Sequence, residues 1–263
     1  MEKPTDMQAP SATGAIKSGA SVLRSALTVA HGPALLHGSV LSQDPQQPPR
    51  LLSLHGGGQT DHRRMDYLLA PLAAAGWSSA AFDHIGHGAT GGSLLGSSLS
   101  DRLAQARSVV TVLGLQRPAA LMASSMGGHT ACCLLDVLQP QALILYCPAA
   151  YVSAAEDQPF GPAFQHTLRT STDFAASPAF AALRRFRGHV LLVWGEHEQV
   201  IPPAVQQLYA DSARAAASLD IVRLPGADHR LHLWLQQQAE QAAALQQRIT
   251  QLLHTVATRH SEG

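Results

Sequence analysis

The sequence predicts an α/β fold, a mostly parallel eight-stranded sheet flanked by helices, and two observations carry that expectation. Short apolar runs ending in glycine-rich or polar turns alternate with longer segments of helical period, which is how a parallel sheet covered by crossover helices is written. The chain has 263 residues, 46% of them hydrophobic, enough for one domain with a substantial core. Its 18 acidic side chains balance 18 basic ones. A balanced chain has no global field to hold a phosphate backbone, so nucleic acid is not an expected partner.

Taken in order, the apolar runs place strands at 27–30, 35–41, 51–55, 77–82, 119–124, 142–147, 189–194 and 219–224. Between them, segments 65–75, 99–115, 127–138, 204–217 and 231–257 repeat apolar residues three and four apart, as helices with one face on a sheet do. Residues 1–22 are polar and rich in Pro, Ser, Thr and Ala, without the apolar core of a signal peptide, and read as a leader to a single domain over 23–260. No apolar run is long enough to span a bilayer. The cysteines, Cys132, Cys133 and Cys147, suit neither a disulfide framework nor a metal-binding spacing, so the expected setting is the reducing cytoplasm.

One stretch breaks the rhythm. Residues 148–188 separate two good strands by more than an ordinary connection and hold five of the six phenylalanines: Phe160, Phe164, Phe174, Phe180 and Phe186. Insertions at the carboxyl edge of a parallel sheet build lids over sites, so this segment is expected to form a small helical cap, with Phe160 and Phe164 meeting substrate. The alternative is that these aromatics glue the insertion to the body, burial being the usual fate of Phe.

The chemistry begins at Ala123-Ser124-Ser125-Met126-Gly127-Gly128, where an apolar strand runs through a serine directly into a helix of small residues. A serine on so sharp a turn needs small neighbours two positions away on both sides. Ser125 has Ala123 and Gly127 there; Ser124 would have Met122 and Met126. Ser125 is therefore the candidate nucleophile, against the alternative of a simple helix cap. Upstream, Leu54-His55-Gly56-Gly57-Gly58 ends a strand in glycines, which lets backbone N–H groups face a site unobstructed. The N–H groups of Gly57, or Gly56 in its place, and of Met126 suit an oxyanion hole. No Gly-Lys-Ser/Thr follows, which disfavours a nucleotide loop.

Phe82-Asp83-His84-Ile85-Gly86-His87-Gly88 combines an acid with two histidines but lacks a strong third ligand, so it reads as a structural turn held by Asp83 and not as a metal centre. A base and its orienting acid must come from later strand ends. Glu196 and Glu198 follow the seventh strand, and His229 follows the eighth, with His232 as its competitor. Asp228, adjacent to His229, suits a cap better than an orienter.

Together His55-Gly56-Gly57, Asp83-His84-Ile85-Gly86-His87-Gly88, Ser125-Met126-Gly127-Gly128, Trp194-Gly195-Glu196-His197-Glu198 and Gly226-Ala227-Asp228-His229 resemble the α/β-hydrolase superfamily, and within it the serine aminopeptidase and monoacylglycerol-lipase-like hydrolases. The resemblance implies the α/β-hydrolase fold. It also places the acid three residues after the glycine of the seventh-strand turn, at Glu198, where the family usually carries Asp, with Glu196 behind it. A serine nucleophile argues against chemistry routed through an aspartyl ester. The expected reaction is hydrolysis of carboxylic esters of small acyl or lipid-like substrates through Ser125, Glu198 and His229, with no metal and no cofactor. Thioesterase, aminopeptidase and a catalytically silent binding protein of the same fold are the alternatives.

Overall fold

The computed structural model describes residues 21–260. The expected leader, 1–22, lies outside them except for Ser21 and Val22, which lead into the first strand. The strands are β1 (Leu23–His31), β2 (Ala34–Ser42), β3 (Leu51–Leu54), β4 (Ser79–Phe82), β5 (Ala120–Ser124), β6 (Ala142–Tyr146), β7 (His189–Gly195) and β8 (Ser218–Leu224). The helices are α1 (Asp66–Ala74), α2 (Leu99–Val112), α3 (Met126–Cys133), α4 (Leu135–Leu138), α5 (Pro162–Thr170), α6 (Pro178–Arg185), α7 (Pro203–Ser212), α8 (Leu231–Leu235) and α9 (Ala239–His260).

All eight strands form one sheet in the order β1-β2-β4-β3-β5-β6-β7-β8. Strand β2 runs antiparallel to both β1 and β4, and every pairing from β4 to β8 is parallel. This is the α/β-hydrolase architecture. Strands β3, β4, β6 and β7 are buried at every position because helices cover both faces, hence their unbroken apolar runs. In the outer pair, β1 carries several exposed residues and β2 mixes buried with half-buried ones, and the two join through Gly32, at φ 55°, a left-handed conformation that glycine adopts without strain.

Two expected helices are interrupted. The segment 127–138 breaks at Leu134 into α3 and α4, and 231–257 breaks at 236–238 into α8 and α9. In both, the apolar period continues across the break, so periodicity carried no sign of it. The long segment between β6 and β7 divides as well. Its first part, through α5, is bonded to the loop before α2 and to the first turn of that helix: Phe160 donates its N–H to Ser97 O, and Ser100 donates its N–H to Glu156 O. Its second part, α6, buries Ala179, Phe180, Ala182 and Leu183 against α3 and α7, and so serves as an ordinary crossover helix. Only about 148–177 stands over the carboxyl edge of the sheet.

Candidate active site

Ser125 occupies the turn between β5 and α3 at φ 50°, ψ −119°, a strained conformation for a residue with a side chain. The strain is held by three backbone bonds: Ser125 N–H to Tyr146 O, and the N–H groups of Gly128 and Ala149 to Ser125 O. Gly127 has to be glycine, since a Cβ there would lie 2.5 Å from Leu54 O and 2.6 Å from His55 O. The steric logic that selected Ser125 thus has a physical basis in the close approach of α3 to the end of β3.

His229 bridges the other two candidate residues. Its Nε2 lies 3.1 Å from Ser125 Oγ and its Nδ1 2.7 Å from Glu198 Oε2. The remaining oxygen, Glu198 Oε1, accepts the N–H groups of Val200 and Ile201 at 2.7 and 2.9 Å. Burial alone would raise this carboxyl's pKa, but hydrogen bonds from His229, the Cys147 thiol and Ile201 outweigh it and bring it down to about 2. Glu198 and His229 meet because their loops are zipped together. Glu196 N–H donates to Leu224 O, His197 N–H to Ala227 O, and Gly226 N–H to the Glu196 carboxylate. At Gly195 the backbones come so close that a Cβ would lie 2.5 Å from Ala227 O. Of the two glutamates, Glu198 reaches His229, and Glu196 ties the loops.

The competitors are engaged elsewhere. His232 is buried with Nδ1 2.9 Å from Tyr67 Oη, and burial lowers its pKa to about 3. Asp228 caps the following turn, accepting the Arg230 N–H. Asp83 accepts N–H bonds from His62 and Ala89, and Thr90 donates to its carbonyl, so it fastens three parts of the loop layer. His84 Nδ1 contacts Gln105, and His87 Nε2 faces Gly57 O.

The glycine loop is clamped from behind by a residue that sequence reasoning did not single out. Arg102 on α2 is buried, yet its Nη2 donates to both His55 O and Gly56 O, at 3.0 and 3.1 Å. Burial lowers its pKa to about 10. His55 Nδ1 also contacts Gly56 O, at 2.7 Å. With no cis peptide bond among the described residues, the Gly57 N–H must point opposite to the Gly56 carbonyl and therefore away from Arg102. A Cβ on Gly57 would strike the Met126 side chain, so the two expected donors are neighbours, and the Met126 N–H belongs to the first turn of α3, which leaves it without an intrahelical acceptor.

A cleft of about 590 Å³ opens beside this loop, lined by Gly57, Gln59, Thr60, Asp61, Arg64 and Leu94 among others. Another hollow, of about 450 Å³, lies at the opposite, amino-terminal edge of β6 and β7, between Gln141, Gly188 and Arg117. Phe160 and Phe164 are both buried, ring on ring edge-to-face at 4.9 Å, with Tyr151 against Phe164 at 5.7 Å. Below them, buried His129 reaches Glu156 at 2.7 Å and joins the base of the cap to α3.

A profile of the family described as "Serine aminopeptidase, S33" matches residues 46–177, just over half of the chain. The chain belongs to the S33 serine aminopeptidase family. This family's match spans the glycine loop, the Asp83 turn and Ser125, and ends before Glu198 and His229. A search of curated proteins finds no match. Among solved structures, the chain is similar to the thioesterase domain from the curacin biosynthetic pathway, at 19% identity and a TM-score of 0.64, covering 87% of this chain and 99% of that one. Est1E from Butyrivibrio proteoclasticus, solved with ferulic acid, gives 16% and 0.64 over 87% and 99%. A predicted CIB-like hydrolase from Thermoplasma acidophilum gives 16% and 0.63 over the same shares. At such identities the likeness is one of fold.

Proposed function

We propose that this S33-family hydrolase cleaves carboxylic esters of small acyl or lipid-like substrates through an acyl-enzyme on Ser125. The observation that carries the reading is the bridge of His229 between Glu198 Oε2 and Ser125 Oγ. Ser125 Oγ attacks the acyl carbon while His229 Nε2 takes its proton. Glu198 holds the proton on Nδ1 and stabilises the imidazolium. The N–H groups of Gly57 and Met126 receive the developing oxyanion, each worth roughly 3–4 kcal/mol of barrier in sites of this type. His229 then returns the proton to the leaving alcohol, and a water activated by the same nitrogen releases the acid.

The cleft beside Gly57, at about 590 Å³, suits a substrate of modest size. Phe160 and Phe164 are proposed to act on substrate through the cap whose interior they fill. The three cysteines are unpaired, which supports a reducing, cytoplasmic setting. Among the described residues no helix is long and apolar enough to cross a membrane. A thioester substrate is the second reading, favoured by the likeness of fold to the curacin thioesterase domain.

A fluorophosphonate probe tests the nucleophile: wild type should be labelled and Ser125→Ala should not. Folded wild-type protein that stays unlabelled would end this reading. p-Nitrophenyl esters of increasing chain length, assayed beside a thioester and an aminoacyl anilide, separate ester, thioester and amide chemistry.

A further inference from the structure

The proposed reaction makes no use of the thiol of Cys147, although that thiol sits against its acid. Cys147 follows β6 at φ 40°, pinned there by its N–H bond to Val193 O. Its side chain is buried and hydrogen-bonded to Glu198. One ligand atom each from Cys147, Glu198 and His229 lie within 4.8 Å of one another. With His229 Nε2 turned to Ser125 and Nδ1 to Glu198, the converging atoms are Sγ, Oε2 and Nδ1.

We infer that Cys147, Glu198 and His229 form an inhibitory site for a thiophilic divalent cation of the Zn²⁺ or Cd²⁺ class. Zinc bonds of about 2.0–2.3 Å in a tetrahedral arrangement place neighbouring ligand atoms roughly 3.3–3.6 Å apart, within the present spread. The ion fits once the 2.7 Å contact between His229 and Glu198 opens modestly. The outer contacts are already in place, since the Val200 and Ile201 N–H groups hold Glu198 Oε1 and leave Oε2 to the metal. Entry is past His229, whose side chain keeps 20% of its surface exposed while that of Glu198 keeps 1%. Charge also balances: one thiolate and one carboxylate neutralise a dication, so the buried centre carries no net charge. Hard cations such as Mg²⁺, which require six oxygen ligands, find no such set here.

On binding, the Cys147 thiol releases its proton to solvent and the sulfur bonds the metal. The Nδ1 lone pair of neutral His229 does likewise, which moves the imidazole proton to Nε2. That nitrogen then donates to Ser125 Oγ and has no lone pair for the serine proton. Loss of activity rests on the proposed role of Ser125, whereas the binding does not.

The test titrates Cd²⁺ into chelator-treated protein and follows the ultraviolet thiolate-to-cadmium charge-transfer band together with esterase activity. One equivalent should develop the band and abolish both turnover and fluorophosphonate labelling, EDTA should restore them, and Mg²⁺ should do nothing. In Cys147→Ser the band should vanish and the Cd²⁺ needed to halve its remaining activity should rise at least tenfold. Cys133→Ser, which alters a thiol on α3 outside the three ligands, should leave both unchanged. Should Cys147→Ser not fold, Glu198→Gln, which keeps the thiol but removes the carboxylate, should weaken Cd²⁺ binding at least tenfold by the same band. A band that survives Cys147→Ser, or affinity unaltered in Glu198→Gln, overturns the site. If the chain were not a hydrolase the band would still form, and only the activity readout would be missing.

Discussion

Replacing Glu198 by Gln changes one atom of the side chain and reverses a hydrogen bond. The Val200 and Ile201 N–H groups both donate to Oε1, so they select the amide oxygen for that position. The amide –NH₂ is then left facing His229 Nδ1, where Oε2 now lies 2.7 Å away. A donor there forces the imidazole proton onto Nε2, the atom proposed to accept from Ser125. Loss of charge adds to this. A carboxyl held at about 2 against an ordinary 4.5 marks a preference for the anion of about 3 kcal/mol, at 1.36 kcal/mol per tenfold. Part of that preference comes from the Cys147 and Ile201 bonds, so the share owed to His229, lost with the charge, predicts a fall of about tenfold or more in turnover. With the wrong tautomer included, the loss approaches the roughly 10⁴ seen when a serine protease triad loses its carboxylate. The measurement is kcat and KM on a p-nitrophenyl ester, with urea unfolding to confirm the fold. Glu196→Gln should stay within a few-fold of wild type, because the Glu196 carboxylate holds the Gly226 N–H and is not the one bonded to His229. Activity within tenfold of wild type in a folded Glu198→Gln protein, or an equal loss at Glu196, would refute the reasoning.

Gly127→Ala should cost about 1–3 kcal/mol in denaturant unfolding, because its Cβ meets two backbone carbonyls that cannot swing aside. Arg102→Met should lower kcat about tenfold or more with KM little changed, as the peptide planes before Gly57 lose their clamp; unchanged kcat would leave Arg102 a packing residue. Asp83 predicts a pH dependence of stability. Burial opposes its ionisation, but the His62 and Ala89 bonds prevail and its pKa falls below 3.8. The unfolded chain therefore binds the proton more readily, so this stabilisation is full above about pH 4 and disappears as pH falls through the folded value. In Asp83→Asn, urea midpoints should lose that part of their acid dependence, and a slope identical to wild type would count against the assignment.

Much of this architecture is legible in the sequence because it rests on local patterns. The buried strands announce themselves as apolar runs, and the turn at Ser125 as a small residue on either side. The placement of Ser125, Glu198 and His229 after successive strands is legible for the same reason. What could not be read depends on approach from afar. Arg102 lies within a helical segment and resembles an outward-facing charge, but its partners are carbonyls 46 and 47 positions earlier. Cys147 is an unremarkable end to a strand until β7 delivers Glu198 beside it. The preference for Glu198 over Glu196 rests on family resemblance, and no local pattern shows that the N–H groups of Val200 and Ile201 hold the Glu198 carboxylate beside His229. The break between α8 and α9 has no sequence sign, because both halves keep apolar residues in phase.

The contact at Gly195 makes the ends of β7 and β8 a single mechanical part. With no side chain between the two backbones, neither loop can shift without carrying the other, and the glutamate and histidine they bear travel as a pair. Ser125 stands on β5, separated from that pair by β6. Strain that bends the sheet at β6 therefore stretches the link between histidine and serine before it disturbs the one between histidine and glutamate. The 3.1 Å contact at the serine is therefore expected to open under heat or denaturant before the one between His229 and Glu198.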